Sequence, residues 1–150
     1  MSRLVVVSNR VALPREARAG GLASAMQAAL AEKGGLWFGW SGRTVAEPER
    51  SIETLRDGRV EFALLDLTAA EHREYYLGFA NRTLWPLLHF RPSLLDYHRG
   101  DFSGYRHVNT LFAQHLAPQR RRHLLVVVLA DERQHRVALL GRGQDGRHLA

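Results

Sequence analysis

The sequence predicts an α/β fold built on a parallel sheet, and three observations carry that reading. Short apolar runs recur at residues 4–7, 36–40, 60–67 and 124–129. An alanine-rich helical stretch lies between the first two and is bracketed by glycine pairs. A threonine with a glutamate three residues on follows the third run, a capping-box pattern. The 150 residues are one domain's length, enough to bury a core. With 45% hydrophobic and 24% charged residues the chain sits near the globular average, which excludes wholesale disorder and a collagen-like chain.

The elements follow in order. Leu4-Val5-Val6-Val7 is apolar on both faces, which suits a strand covered from both sides. Ser8-Asn9-Arg10 and the proline-containing segment to Ala19 read as a loop. Gly20-Gly21 opens a helix over 22–33, with Leu22, Met26, Ala29, Leu30 and Lys33 on one face, apolar in all but its end, and Gly34-Gly35 closes it. Leu36–Trp40 is the second strand, completing a βαβ unit. Residues 43–60 are polar, with Pro48 and Gly58, and read as a surface excursion. Val60–Leu67 is the third strand, and Thr68 caps a helix that runs through Tyr75 and Tyr76. Leu84, Trp85, Leu87, Leu88 and Phe90 form an aromatic-aliphatic cluster expected to be half-buried. Ser103–Leu116 is a further helix with Val108, Leu111, Phe112 and Leu116 on its stripe, and Leu124–Leu129 is the last strand.

Composition narrows the chemistry. The absence of cysteine excludes a disulfide scaffold, a thiolate zinc site and a cysteine nucleophile. No apolar run approaches the ~18 residues needed to cross a bilayer, and the opening residues are too briefly apolar for a signal peptide; the expectation is a soluble, cytoplasmic chain. The net charge is +6, with 14 basic and 12 acidic side chains in residues 1–118 against 7 and 3 in residues 119–150. Lys33 is the only lysine. An arginine-rich tail admits a nucleic-acid or phosphate-binding module as the alternative function, although the tail lacks the interleaved aromatics that stack on bases.

Candidate ligand groups cluster in the first two thirds. Arg10 follows the carboxyl end of the first strand, where ligands of open α/β sheets sit, and a guanidinium holds phosphate with two hydrogen bonds. Gly20 and Gly21 precede a helix whose first amides are unpaired, a setting for phosphate or for a simple hinge. Trp37, Trp40, Tyr75, Tyr76 and Trp85 offer flat faces for a sugar or, equally, for a core. The eight histidines form no HExxH pattern, so no metal site is expected, and neither a GxSxG elbow nor a P-loop is present.

Taken together, LVVVSNR at 4–10, Gly20-Gly21-Leu22, GLWFGWSG at 35–42, Glu74-Tyr75-Tyr76, Leu84-Trp85-Pro86 with His89, and Gly104-Tyr105 through Val108-Asn109 resemble the N-terminal part of the trehalose-6-phosphate synthases. The resemblance covers about residues 1–118. It implies an incomplete N-terminal Rossmann-like domain of a two-domain, GT-B type glycosyltransferase. It also implies a retaining transfer of glucose from UDP-glucose to glucose 6-phosphate, without metal or other cofactor. By the same resemblance Arg10 contacts the acceptor's phosphate, Gly20 and Gly21 approach the donor near its diphosphate, and Tyr76 and Trp85 line the glucose 6-phosphate pocket. No catalytic residue is singled out, since the family's transfer relies on acceptor and leaving phosphate rather than on a protein nucleophile.

Residues 119–150 read as a divergent basic tail. Arg120-Arg121-Arg122-His123 stands where the family has an acidic turn, and Asp131 falls near an acceptor-binding aspartate of the family without its neighbours, so that role is not carried over. Two origins stay open: a shifted reading frame, or a short form with its own tail. An incomplete domain leaves a sheet edge and an apolar face uncovered, which predicts association of copies into a homo-oligomer. The other reading frames of the coding DNA past residue 118 separate the two origins. The family's acidic turn in one of them is expected from a shift, and its absence from all of them removes that origin.

Overall fold

β1 (Arg3–Arg10) and β2 (Gly35–Val45) pair in parallel, Leu4 opposite Gly35 through Ser8 opposite Gly39. The computed structural model describes residues 3–14, 21–117 and 123–127. The remaining strands are β3 (Ile52–Asp57), β4 (Val60–Thr68) and β5 (His123–Val127), and the sheet order is β3-β4-β2-β1-β5. β1 is therefore the strand with parallel partners on both sides, β2 and β5. Two compact units divide the chain: the described residues to Ser41 with Ile52–Leu65 and β5, and Gly42–Ser51 with Asp66 to Ala117.

In the first unit the β1–β2 pairing depends on two missing side chains. A Cβ at Gly35 would collide with the carbonyl oxygen of Leu4, and one at Gly39 with that of Ser8. α1 (Gly21–Lys33) joins the two strands and buries Leu30 completely. Its end is fixed twice. Gly34 takes φ +70 and donates to the Leu30 carbonyl at 2.7 Å, while the Arg59 guanidinium donates to the carbonyls of Glu32 and Lys33 at 3.2 and 3.3 Å. Val6, Val11, Leu30, Trp37, Val60, Phe62 and Leu64 form the buried core, with Ala23 and Met26 of α1 packed against it.

The sheet departs from the expected parallel pattern at one edge. β2 extends to Val45, and β3 lies inside the stretch read as a surface excursion, antiparallel to β4 through the two-residue loop Gly58-Arg59. β3 escapes a hydrophobic reading because it is an edge strand: Glu53 to Asp57 are all exposed, and the charges of Glu53, Arg56 and Asp57 suit an edge that must not recruit other strands. The sheet is mixed in consequence.

In the second unit Thr68 forms the expected capping box with Glu71 and starts α2 (Ala69–His72). The helix then widens into a π segment (Arg73–Leu84) and returns to α3 (Trp85–Leu88). The Trp85 amide still reaches back five residues to Ala80. Pro86, with no N–H to place, lets the ladder change register at no cost in hydrogen bonds. α3 ends in a Schellman arrangement: Arg91 N–H donates to Pro86 at 2.8 Å and Phe90 N–H to Leu87 at 3.3 Å, with Phe90 at φ +55 where glycine is usual. A short 3₁₀ turn (Pro92–Leu94) leads to α4 (Arg99–Leu116).

The expected half-buried cluster at 84–90 is corrected by this geometry. Leu84 and Trp85 are half-buried, but Leu87 and Leu88 are more than half exposed and Phe90 is 91% exposed. Pro86 takes the inward position of a one-turn helix, so its followers turn outward. The stripe expected on α4 holds, with Val108 and Phe112 buried.

α4 packs on the π segment through aromatics and two glycines. Tyr75 stacks on Tyr105 at 5.6 Å and Phe79 meets Phe102 and Tyr105 at 5.1 and 4.8 Å. Gly78 leaves room for the Asp101 carboxylate and Gly104 for the Glu74 side chain. Asp101, buried, is matched by Arg82 at 2.8 Å. Glu71 is the other buried carboxylate. Arg50 donates to both of its oxygens at 2.6 and 3.2 Å, the Thr68 amide donates at 2.8 Å, and His107 Nε2 lies 2.9 Å from Oε1. Arg50 reaches it from a left-handed backbone, φ +57.

Burial acts to raise the Glu71 pKa, but the bonds from Arg50, Thr68 and His107 outweigh it and lower the value to about 2. A depressed carboxylate stabilises the fold above its unfolded value and loses that contribution as pH falls through the folded one. Glu71→Gln is expected to cost about 2–3 kcal/mol at neutral pH and to flatten the stability loss between pH 4.5 and about 2, read by urea unfolding across that window. Gly39→Ala should cost about 1–3 kcal/mol by forcing β1 and β2 apart, measured in the same way.

Candidate functional site

At the carboxyl end of β1 the register with β2 slips: Ser8 faces Gly39, but Arg10 faces Trp40. Such a bulge re-aims the side chains that follow it. A short relay holds it in place. Trp37 Nε1–H donates to Ser8 Oγ at 2.8 Å, and the Ser8 hydroxyl donates to the Arg10 carbonyl at 2.6 Å. The Val11 amide then donates to Trp40 at 3.0 Å. Arg10 is thereby fixed at its backbone by a buried indole rather than left on a free loop, with its side chain half-buried. Beside it, Asn9 Oδ1 is buried and accepts no hydrogen bond among the described residues.

Gly21 is the first residue of α1 and is exposed; Gly20 lies outside the described residues, as do Asp131 and His135. The first turn of α1 carries no acidic side chain.

Tyr76 and Trp85 are both half-buried in the second unit. Each is stacked on a histidine four residues away, Tyr76 on His72 with ring centroids 5.6 Å apart and Trp85 on His89 at 4.4 Å. These histidines were missed as partners by sequence reasoning; their i,i+4 spacing was the available signal. The other three candidate rings belong to the cores. Trp37, Trp40 and Tyr75 are buried, and burial together with the neighbouring Tyr105 and Tyr76 pushes the Tyr75 hydroxyl far above its ordinary pKa, out of acid–base chemistry at neutral pH.

Arg10 and Gly21 thus lie in the first unit, Tyr76 and Trp85 in the second. Among the described residues no cluster of three His, Asp or Glu side chains is arranged to hold a metal ion, and no helix is long and apolar enough to cross a membrane.

An arginine at the end of a central parallel strand and a helix opened by glycine are features shared by nucleotide-binding α/β domains. The sequence pattern of Glycosyltransferase family 20 matches residues 3–131, and the chain belongs to that family. The match passes beyond residue 118 and reaches Asp131. A trehalose-6-phosphate synthase of Sinorhizobium fredii is 50% identical over 123 residues, which is 79% of this chain and 26% of that protein. The structure of an α,α-trehalose-phosphate synthase (UDP-forming) from Burkholderia vietnamiensis is 45% identical with a TM-score of 0.77, over 85% of this chain and 28% of that one. A Burkholderia xenovorans synthase in complex with glucose-6-phosphate is 43% identical with a TM-score of 0.69, over 84% and 27%. The chain therefore spans about a quarter of the length of the relatives it matches. The expected fold class stands: a mixed α/β sheet with helices, matching part of a GT-B glycosyltransferase.

Ser8→Ala removes the centre of the relay and leaves the Trp37 N–H buried without its acceptor. A loss of about 1–3 kcal/mol is expected in chemical unfolding, with the Trp37 indole proton exchanging faster in amide-type hydrogen-exchange NMR.

Proposed function

We propose that this chain is the acceptor-side portion of a retaining glucosyltransferase that moves glucose from UDP-glucose to glucose 6-phosphate, giving trehalose 6-phosphate and UDP. The reach of the family match to residue 131 and the pairing of β5 with β1 support extending that portion of an N-terminal Rossmann-like domain past the expected boundary at residue 118, with a basic tail after it. The observation that carries the reading is the likeness, at 43% identity over 84% of the chain, to a synthase whose structure holds glucose-6-phosphate. The membership in a sugar-transfer family favours it over a nucleic-acid module.

The roles follow from the chemistry of each group. The Arg10 guanidinium takes the acceptor's phosphate by a charge-assisted, two-pronged hydrogen bond, and the bulge behind it sets its direction. Gly20 and Gly21 bring bare backbone amides near the donor's diphosphate. Tyr76 and Trp85 offer ring faces to the acceptor sugar, whose C–H groups pack on aromatic surface while its hydroxyls stay hydrogen-bonded. In the transfer the acceptor's anomeric hydroxyl oxygen bonds to the glucosyl carbon. The bond from that carbon to UDP breaks, its electron pair leaves with UDP, and the hydroxyl proton passes to the departing phosphate.

Transfer also requires cationic groups facing the diphosphate as negative charge builds on it. The roles proposed here place none of these in this chain. The purified 150-residue protein is expected to bind glucose 6-phosphate weakly and to release no UDP from UDP-glucose. Arg10→Ala should weaken that binding at least 10-fold by calorimetry or NMR titration, the range for a lost charge-assisted phosphate contact. Affinity unchanged in Arg10→Ala would remove the phosphate role, and steady UDP release by the chain alone would remove its assignment as the acceptor side only.

A further inference from the structure

We infer that His89 is a positioning residue for Trp85, holding the indole in one orientation so that only its opposite face receives the acceptor sugar. This rests on the reading that Trp85 lines the glucose 6-phosphate pocket.

The geometry is explicit. The two rings lie 4.4 Å apart at 19°, a face-to-face stack between residues i and i+4. Nδ1 of His89 lies 2.8 Å from the Trp85 carbonyl oxygen. A carbonyl oxygen only accepts, so Nδ1 carries the proton, and the neutral ring is the Nδ1–H tautomer. The backbone N–H of His89 donates to the same oxygen at 3.1 Å. Both the ring and the main chain of His89 are thus tied to one atom of Trp85. Rotating the imidazole off the indole breaks the first bond, and moving its backbone breaks the second.

The end of α3 tightens this further. The Arg91 and Phe90 amides close the Schellman arrangement on Pro86 and Leu87, with His89 at the capping position between helix and turn. Nε2 of His89 is buried and has no hydrogen-bond partner among the described residues. The imidazole is therefore not drawn away from the stack by a competing polar contact there. A sugar ring that packs on Trp85 must take the face that the imidazole leaves. The indole is set before ligand arrives, and ordering a side chain beforehand removes part of the entropic cost of binding.

The test uses the whole chain labelled with 5-fluorotryptophan, whose three tryptophans report separately by ¹⁹F NMR, Trp85 being assigned through Trp85→Phe. In His89→Ala the Trp85 resonance is expected to shift and narrow towards an averaged value while those of Trp37 and Trp40 stay in place. His89→Phe, which keeps a stacking ring, should restore the shift, and His89→Asn, which keeps a donor where Nδ1 stood, should restore it in part. A Trp85 resonance identical to wild type in His89→Ala overturns the inference. If His89→Ala unfolds, shown by collapse of the Trp37 and Trp40 resonances, the Phe and Asn variants decide it. Their failure to restore any dispersed Trp85 signal in a folded chain counts against it. Titration with glucose 6-phosphate then reads the ligand half: about 5–10-fold weaker binding in His89→Ala than in wild type, recovered in His89→Phe. A wild-type Trp85 resonance that ignores glucose 6-phosphate overturns the pocket reading and the facial selection built on it, while the positioning of the indole is still judged by the ligand-free spectra.

Discussion

The close approach of β1 and β2 is the constraint on which the first unit depends. Parallel strands hold side chains on both faces, but here the line of contact itself requires backbone with nothing on it at Gly35 and Gly39. With those two positions bare, Trp37 can sit buried beside β1 and pass its indole hydrogen to Ser8. From there the polar relay ends on the carbonyl of Arg10. Packing, hydrogen bonding and the placement of a candidate phosphate ligand are thus one chain of causes. It starts from two absent side chains and a large ring that needs somewhere to put its single polar atom.

The second unit is organised around buried carboxylates instead. Glu71 and Asp101 are each too buried to remain charged unaided, and each is met by an arginine on another segment of the same unit. Glu71 gathers groups from three places: the cap at Thr68, Arg50 from the preceding segment, and His107 from α4. Ion pairs of this kind contribute less net stability than apolar packing of equal volume, but each is costly to leave half-made. They therefore favour one arrangement of α4 on the π segment over nearby ones. The two glycines on that contact, at 78 and 104, admit the acidic side chains that a larger residue would push out.

Much of this was legible from the residues alone, and the exceptions share a cause. The β-branched and aromatic runs, the glycine-bracketed helix and the Thr68–Glu71 cap all became the elements their chemistry implies. β3 was invisible because an edge strand with exposed charges carries no burial pattern. Leu87, Leu88 and Phe90 were expected to be half-buried because apolar residues close together suggest a shared interior, whereas a single helical turn buries Pro86 and exposes all three. Arg10 could be picked out by its place after a strand, but the bulge that orients it depends on a serine and a tryptophan 29 residues apart. The histidine partners of Tyr76 and Trp85 were within reach of helical spacing, yet histidine is seldom weighed as a stacking ring.

The π segment has a consequence for how this stretch can vary in length. Between Arg73 and Leu84 the helix holds more residues per turn than the α-helical turns on either side of it. Removing one residue would let the ladder relax to ordinary α geometry, a local gain in hydrogen-bond quality. A deletion that did not relax in this way would instead turn everything downstream by roughly 100° about the axis, swinging the indole of Trp85 and its imidazole neighbour away from their present side of the helix. The width of the segment is thus tied to the direction of the rings beyond it.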